Sequence, residues 1–233
     1  MKSERLIKLA AVCSAIGAIT TLVLVLIQVP EAKSFDEKVM LSDNSRYIGK
    51  LWIFFFHPQF NLIAALGVAV LMYKRKPEFV LPGFLFIGIW AITESAQHAF
   101  LIDAVNQYWR EGYNKVTDES VKLAYYNNLI GAEAMGDSMY FLLLYAYGIG
   151  SSFMGLALLT ENLRENRLAI IPGFGFIFFG VLSIIAFIDY YGGVRALDPA
   201  VNFSFDWIYP FFQPVARGML GVWLWKSAVT IRT

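Results

Sequence analysis

Polar residues divide the chain into six long apolar stretches, roughly 8–29, 51–73, 79–102, 127–159, 168–190 and 207–229. A helix rising about 1.5 Å per residue needs about 20 mostly apolar residues to cross the hydrocarbon core of a bilayer, and each stretch meets that length. Membrane-spanning strands are about 10 residues long and alternate in polarity, whereas these runs are apolar nearly all round, so the pattern predicts helices. Lys2, Arg5 and Lys8 precede the first run as they would a signal peptide. Its apolar length exceeds the about 7–15 residues of such a segment and no small-x-small cleavage site follows, so a retained helix is expected. The expected architecture is an all-α integral membrane protein, a six-transmembrane-helix bundle forming a single domain over residues 1–233. The segment 103–124 is too polar to cross and should lie over one mouth of the bundle, as extended ends of the third and fourth helices. Gly148 with Ser152, and Ser151 with Gly155, are small residues at four-residue spacing that suit close helix packing.

Composition agrees with the pattern. The chain is 58% hydrophobic and 16% charged with a mean hydropathy of +0.55, against about a quarter charged in soluble domains. A net charge of +1 without any Lys/Arg block excludes nucleic acid as a partner. The single cysteine, Cys13, excludes an intramolecular disulfide and any Cys-based zinc or iron–sulfur site. Segments 1–8, 74–78, 161–167 and 226–233 hold ten basic residues in 28, while 30–50, 103–124 and 191–206 hold eight in 59. That density difference predicts an inner-membrane protein with both termini cytoplasmic.

Ionisable residues inside a spanning helix cost about 2.5–3.5 kcal/mol each on insertion scales and face the bundle interior, so they locate a site. Glu94, Gln97 and His98 share one face of the third helix at i, i+3 and i+4; His57 and Asn61 share a face of the second. Glu133, Asp137 and Tyr140 lie along the fourth, Asp189 ends the fifth, and Gln213 and Arg217 lie on one face of the sixth. Helix rise puts His57 and His98 about 10 and 8 Å below the outer boundary. These groups fall in the outer half, implying one cavity that opens outward.

Two imidazoles and a carboxylate are a ligand set for a divalent metal ion, zinc foremost. The expectation is therefore a metal site on His57, Glu94 and His98, with Glu133 or Asp137 completing it as a catalytic base and metal-assisted chemistry following. Bis-histidine haem ranks lower, because adjacent carboxylates are poor neighbours for an anionic porphyrin. Arg217 is expected to pair with a carboxylate, Glu94, Asp137 or Asp189. The alternatives are a structural or assembly subunit of a membrane complex or a homo-oligomer, in which the cluster is a hydrogen-bond network, and a small-solute or proton-coupled transporter. The lipid bilayer is the partner common to all of them.

Overall fold

The computed structural model describes residues 2–160 and 167–230. Parts of the flanks used in the orientation argument, 161–166 and 231–233, lie outside them. The described residues are helical throughout apart from short connections and contain no strand. Six long helices carry the fold: α1 (Lys2–Leu26), α3 (Ser45–Met72), α4 (Pro77–Phe100), α6 (Glu119–Leu159), α7 (Ile170–Gly192) and α9 (Tyr209–Thr230). Short helices α2 (Phe35–Met40), α5 (Glu111–Lys115) and α8 (Asp198–Phe203) sit in the connections. The polar 103–124 segment is helical, as expected: α4 runs through a wider, π-helical stretch, Leu101–Arg110, into α5, and α6 begins at Glu119.

Local chemistry explains the boundaries. The Asn44 side chain accepts from the backbone N–H groups of Arg46 and Tyr47 to start α3, and Asp118 does the same from Ser120 and Val121 to start α6. Ser34 and Glu37 form a reciprocal capping box on α2. Pro77 occupies the first turn of α4, where its missing N–H costs nothing. Gly193, at φ 71°, ends α7 in the left-handed conformation.

Five helices are long and apolar enough to cross a membrane: Ser3–Leu26, Ser45–Met72, Pro77–Lys115, Glu119–Leu159 and Arg167–Gly192. The sixth stretch also forms a helix, but α9 is not among them. Its 22 residues suffice in length, and Gln213, Arg217 and Lys226 lower its hydropathy.

The long helices form a closed ring, each packed on the next in the order α1, α3, α4, α6, α7, α9, with α9 returning to α1. Small residues set the spacing. A Cβ added to Gly155 would stand 2.8 Å from both the Gly173 carbonyl oxygen and the Ile177 nitrogen, and one on Gly180 would stand 2.7 Å from the Ser152 nitrogen. The backbones of α6 and α7 therefore touch, as the spacing of Gly148, Ser152 and Gly155 suggested. Gly67 against Ala10, and Gly221 against the Ala11 carbonyl, bring α1 close to α3 and α9.

The two ends of the ring differ in kind. Around the 74–76 turn the interior is an apolar cluster that includes Ile7, Val68, Met72, Val80, Met154, Leu158 and Leu224. At the far end, where α1 finishes and α3 begins, the interior is polar and hollow. A smaller cluster of Val39, Val105, Leu129 and Ala132 seats α2 against the extension of α4 and the start of α6.

Candidate functional site

The hollow end is a cavity of about 530 Å³, lined by side chains from all six long helices. His57, Glu94, Gln97 and His98 line it, together with Trp90, Tyr140, Tyr147, Tyr209 and Gln213. Matching depth and helix-face spacing thus brought the three expected metal-binding residues to one cavity. Their individual bonding differs from what shared coordination needs.

His57 is 4% exposed and both ring nitrogens are engaged. Its Nε2 lies 2.6 Å from Arg217 Nη1 and its Nδ1 2.6 Å from Thr20 Oγ1. A guanidinium is always a donor, so Nε2 accepts and Nδ1 carries the proton toward the threonine. The Thr20 hydroxyl in turn reaches the carbonyls of Ile16 at 3.0 Å and Gly17 at 3.1 Å. The result is one polarised chain across three helices: α9 donates to α3, α3 donates to α1, and the last proton ends on a backbone carbonyl. Asn61 Nδ2 donates to the His57 carbonyl at 2.8 Å. The side chains of Ser95 of α4 and of Gln59 both donate to the Phe55 carbonyl, at 3.2 and 3.0 Å.

His98 is held differently. Its Nδ1 lies 2.8 Å from the Glu94 carbonyl and so donates to it, and its ring stacks on Phe54 at 4.8 Å between centroids. The Nε2 lone pair has no protein partner among the described residues. Glu94 is 7% exposed, with the Trp90 indole directed at its carboxylate. Gln213 is 1% exposed; its Nε2 donates to the Tyr147 hydroxyl at 3.3 Å, and its Oε1 has no partner.

Arg217 pairs with an imidazole and not with the expected carboxylate. No carboxylate lies within 4.0 Å of it among the described residues, and its close partner is the neutral imidazole of His57. Asp189 is buried at the end of α7, where its carboxyl faces Asp198 and Arg195. Asp137 is exposed, and its backbone carbonyl accepts from the Tyr191 hydroxyl at 2.8 Å.

Glu133 and Asp137, expected as catalytic carboxylates, do not line the central cavity. They line a second one of about 420 Å³ nearer the surface, with Lys38 and Arg110. Glu133 is half exposed and bonded to Lys38 at 2.7 Å. Gln97 and Tyr140 border both cavities, and the Gln97 amide donates to the Gly136 carbonyl at 3.2 Å, so these two side chains form the partition. Among the described residues no group of three or more His, Cys, Asp or Glu side chains is placed to hold a metal ion.

Sequence reasoning missed Thr20, Trp90, Tyr147 and Tyr209. Thr20 and Thr21 are adjacent hydroxyls in an otherwise apolar run, a visible signal. The aromatic residues carry none, since lipid-facing and cavity-facing rings look alike in a sequence. No family model matches this chain, and no curated protein or solved structure is significantly similar to it.

Proposed function

We propose that this is a multi-pass protein of the cell's inner membrane, with both termini cytoplasmic and α9 as the sixth span, whose central cavity receives a small polar ligand from the outer side. One observation carries the reading: a cavity of about 530 Å³, within the roughly 300–1,000 Å³ of small-molecule sites, places a buried carboxylate, an imidazole lone pair and an unpartnered amide oxygen on aromatic walls. A bundle that needed only packing would fill that end as it fills the other. The Thr20–His57–Arg217 chain supports the site by locking α1, α3 and α9 together behind it.

The test is thiol accessibility. In a Cys13→Ser background, Leu143→Cys and Ser183→Cys line the cavity and should react with a membrane-impermeant methanethiosulfonate added from outside. Cysteines that stay inert from both sides would overturn the reading.

A divalent metal is the second reading, favoured by Glu94 and the free Nε2 of His98 in the same cavity. Such an ion would take two protein ligands and complete its shell with water. His57 would not contribute, because Arg217 occupies its lone pair and a guanidinium repels a cation. Glu133 and Asp137 would stand behind Gln97 and Tyr140. Elemental analysis of the purified protein decides: a stoichiometric metal lost in Glu94→Gln and His98→Ala supports this reading, and absence of one removes it.

A further inference from the structure

Two arginines are buried among the described residues, Arg110 and Arg217. Arg217 has the His57 imidazole as its partner inside the helix ring. Arg110 ends the polar π-helical stretch Leu101–Arg110, where its neighbours along the chain are largely exposed, and yet it is 9% exposed itself. Its position is fixed from two sides. Asn106, 5% exposed, donates its amide one π-helical turn back to the Leu101 carbonyl and accepts from Arg110 Nη1 at 2.8 Å. The guanidinium also stands 5.3 Å from the centre of the Tyr47 ring of α3. Departures from α-helix toward the π form are uncommon and recur at functional sites.

Both groups that hold this cation are neutral, and the carboxylates near it are committed elsewhere or wet. Glu133 is bonded to Lys38 at 2.7 Å and Glu111 to Lys115, and no carboxylate lies within 4.0 Å of Arg110 among the described residues. Arg110 lines the outer cavity of about 420 Å³, whose other charged residues are Lys38, Glu133 and Asp137. The Lys38–Glu133 pair cancels, and Asp137 is exposed, so water screens its charge. A guanidinium has further N–H donors beyond the one that Asn106 takes. The cavity reaches the surface at Asp137 and at Tyr190, which is 59% exposed, and Phe35, Leu101, Val105 and Leu129 give it apolar walls.

We propose that the outer cavity is a second binding site, independent of the central one, for a small organic monocarboxylate, with the carboxylate on Arg110 and an apolar body against Phe35, Leu101, Val105 and Leu129. The planar guanidinium fork matches the two oxygens of a carboxylate, and a guanidinium already fixed by Asn106 and Tyr47 loses little freedom on binding. A cation would meet the repulsion of Arg110. A dianion would place its second charge beside Glu133 and Asp137. A neutral amide could accept from the same donors, but without the added strength of a bond between opposite charges. Asn106 and Tyr47 are positioning residues.

The experiment uses benzoate and hexanoate as probes, their amides as uncharged counterparts and benzylammonium as the reversed charge. Binding to the full chain in detergent is measured by calorimetry and by protection of Gly136→Cys from a methanethiosulfonate in the Cys13→Ser background. A Cβ at Gly136 meets nothing nearer than the Gln97 amide at 3.8 Å, so this cysteine reports on the outer cavity without crowding it. At least one carboxylate should bind and protect, while the amides and the amine should do neither. Arg110→Gln should weaken that binding by roughly ten- to a hundredfold, the loss of a charge-assisted hydrogen bond, and Arg110→Lys, which keeps the charge without the fork, by less. Asp137→Asn alters an exposed side chain, so it should fold as wild type does and bind the carboxylate about two- to fivefold more tightly at low salt, which keeps the test alive if the Arg110 variants do not fold. Binding of neither carboxylate, equal binding of an amide or the amine, unchanged affinity in Arg110→Gln, or unchanged or weaker binding in Asp137→Asn would each overturn the proposal. Protection of Leu143→Cys in place of Gly136→Cys would move the ligand to the central cavity and overturn it as well.

Discussion

Arg217 and His57 offer a direct test of how a buried cation is held in this bundle without a carboxylate. The Arg217→Leu, His57→Leu and double variants make a thermodynamic cycle. Nη1 and Nε2 are 2.6 Å apart, with the two residues 9% and 4% exposed, so neither group can replace the other with bulk water. In soluble proteins a hydrogen bond to a charged group contributes about 1.5–3 kcal/mol. Polar contacts between membrane helices average only about 0.6 and reach about 1.7 kcal/mol, because the unfolded helices also find partners in the bilayer. This bond combines a formal charge with a membrane setting, so a coupling of about 1–2 kcal/mol is expected, near a tenfold change in equilibrium constant. His57→Leu should be the worse single change. It strands the guanidinium N–H and takes away the donor to Thr20, whose hydroxyl keeps the carbonyls of Ile16 and Gly17. Reversible unfolding in mixed detergent and SDS reads all the free energies. Single effects that add up to the double within about 0.3 kcal/mol would refute the bond. A parallel cycle with Glu94→Gln should show weaker coupling to Arg217, and a stronger one would make the carboxylate the true partner.

Three further outcomes are expected. Gly155→Ala should destabilise by about 1–3 kcal/mol, as overpacking does, because its Cβ meets backbone of α7 at 2.8 Å, whereas Gly88→Ala, with nothing within 4 Å, should be neutral or stabilising; equal stability of the two would contradict the α6–α7 contact. Hydrogen bonds from the Ser120 hydroxyl and the Val121 and Ser120 backbone N–H groups hold the Asp118 carboxyl below its ordinary range. That cap is complete above the ordinary carboxylate pKa and lost as pH falls through the depressed one, so the protection of the Ser120 and Val121 amides relative to their intrinsic exchange rates should fall only on strong acidification and lose that dependence in Asp118→Asn; protection that does not change with pH would count against it. In a Cys13→Ser background, cysteines at Lys76 and Asn114 should label from opposite faces, Lys76 from the cytoplasm, and outside labelling at Lys76 would invert the topology.

The contrast between a hollow end and an apolar end of the bundle has a physical basis in the distribution of side-chain size. Around the 74–76 turn, Met72, Met154, Leu158 and Leu224 pack with small residues such as Ala10 and Ala157 in one apolar cluster. At the other end His57 and Arg217 hold each other, and Glu94, His98 and Gln213 line the cavity instead of packing together. The cavity lies where these constraints leave the interior unfilled.

Helix existence and type were legible along the chain because a bilayer imposes length and apolarity on each segment separately, and neither property depends on its neighbours. The shared face of Glu94 and His98, the matching depth of His57, and the apolar character of the opposite end followed from helical rise and period alone. Partner choice did not. Arg217 meets His57 instead of a carboxylate because α1, α3 and α9 approach one another at Gly67 and Gly221, and that contact sets how each helix is rotated about its axis. Glu133 and Asp137 lie at the right spacing, but α6 begins at Glu119, earlier than its apolar run, and they come to rest on the surface. Thr20 enters the site from a helix whose local sequence says nothing of α3. Spacing along one helix is a local quantity, while the rotation and offset between helices come from close packing of glycine and alanine across the whole ring, and only the folded structure holds that information.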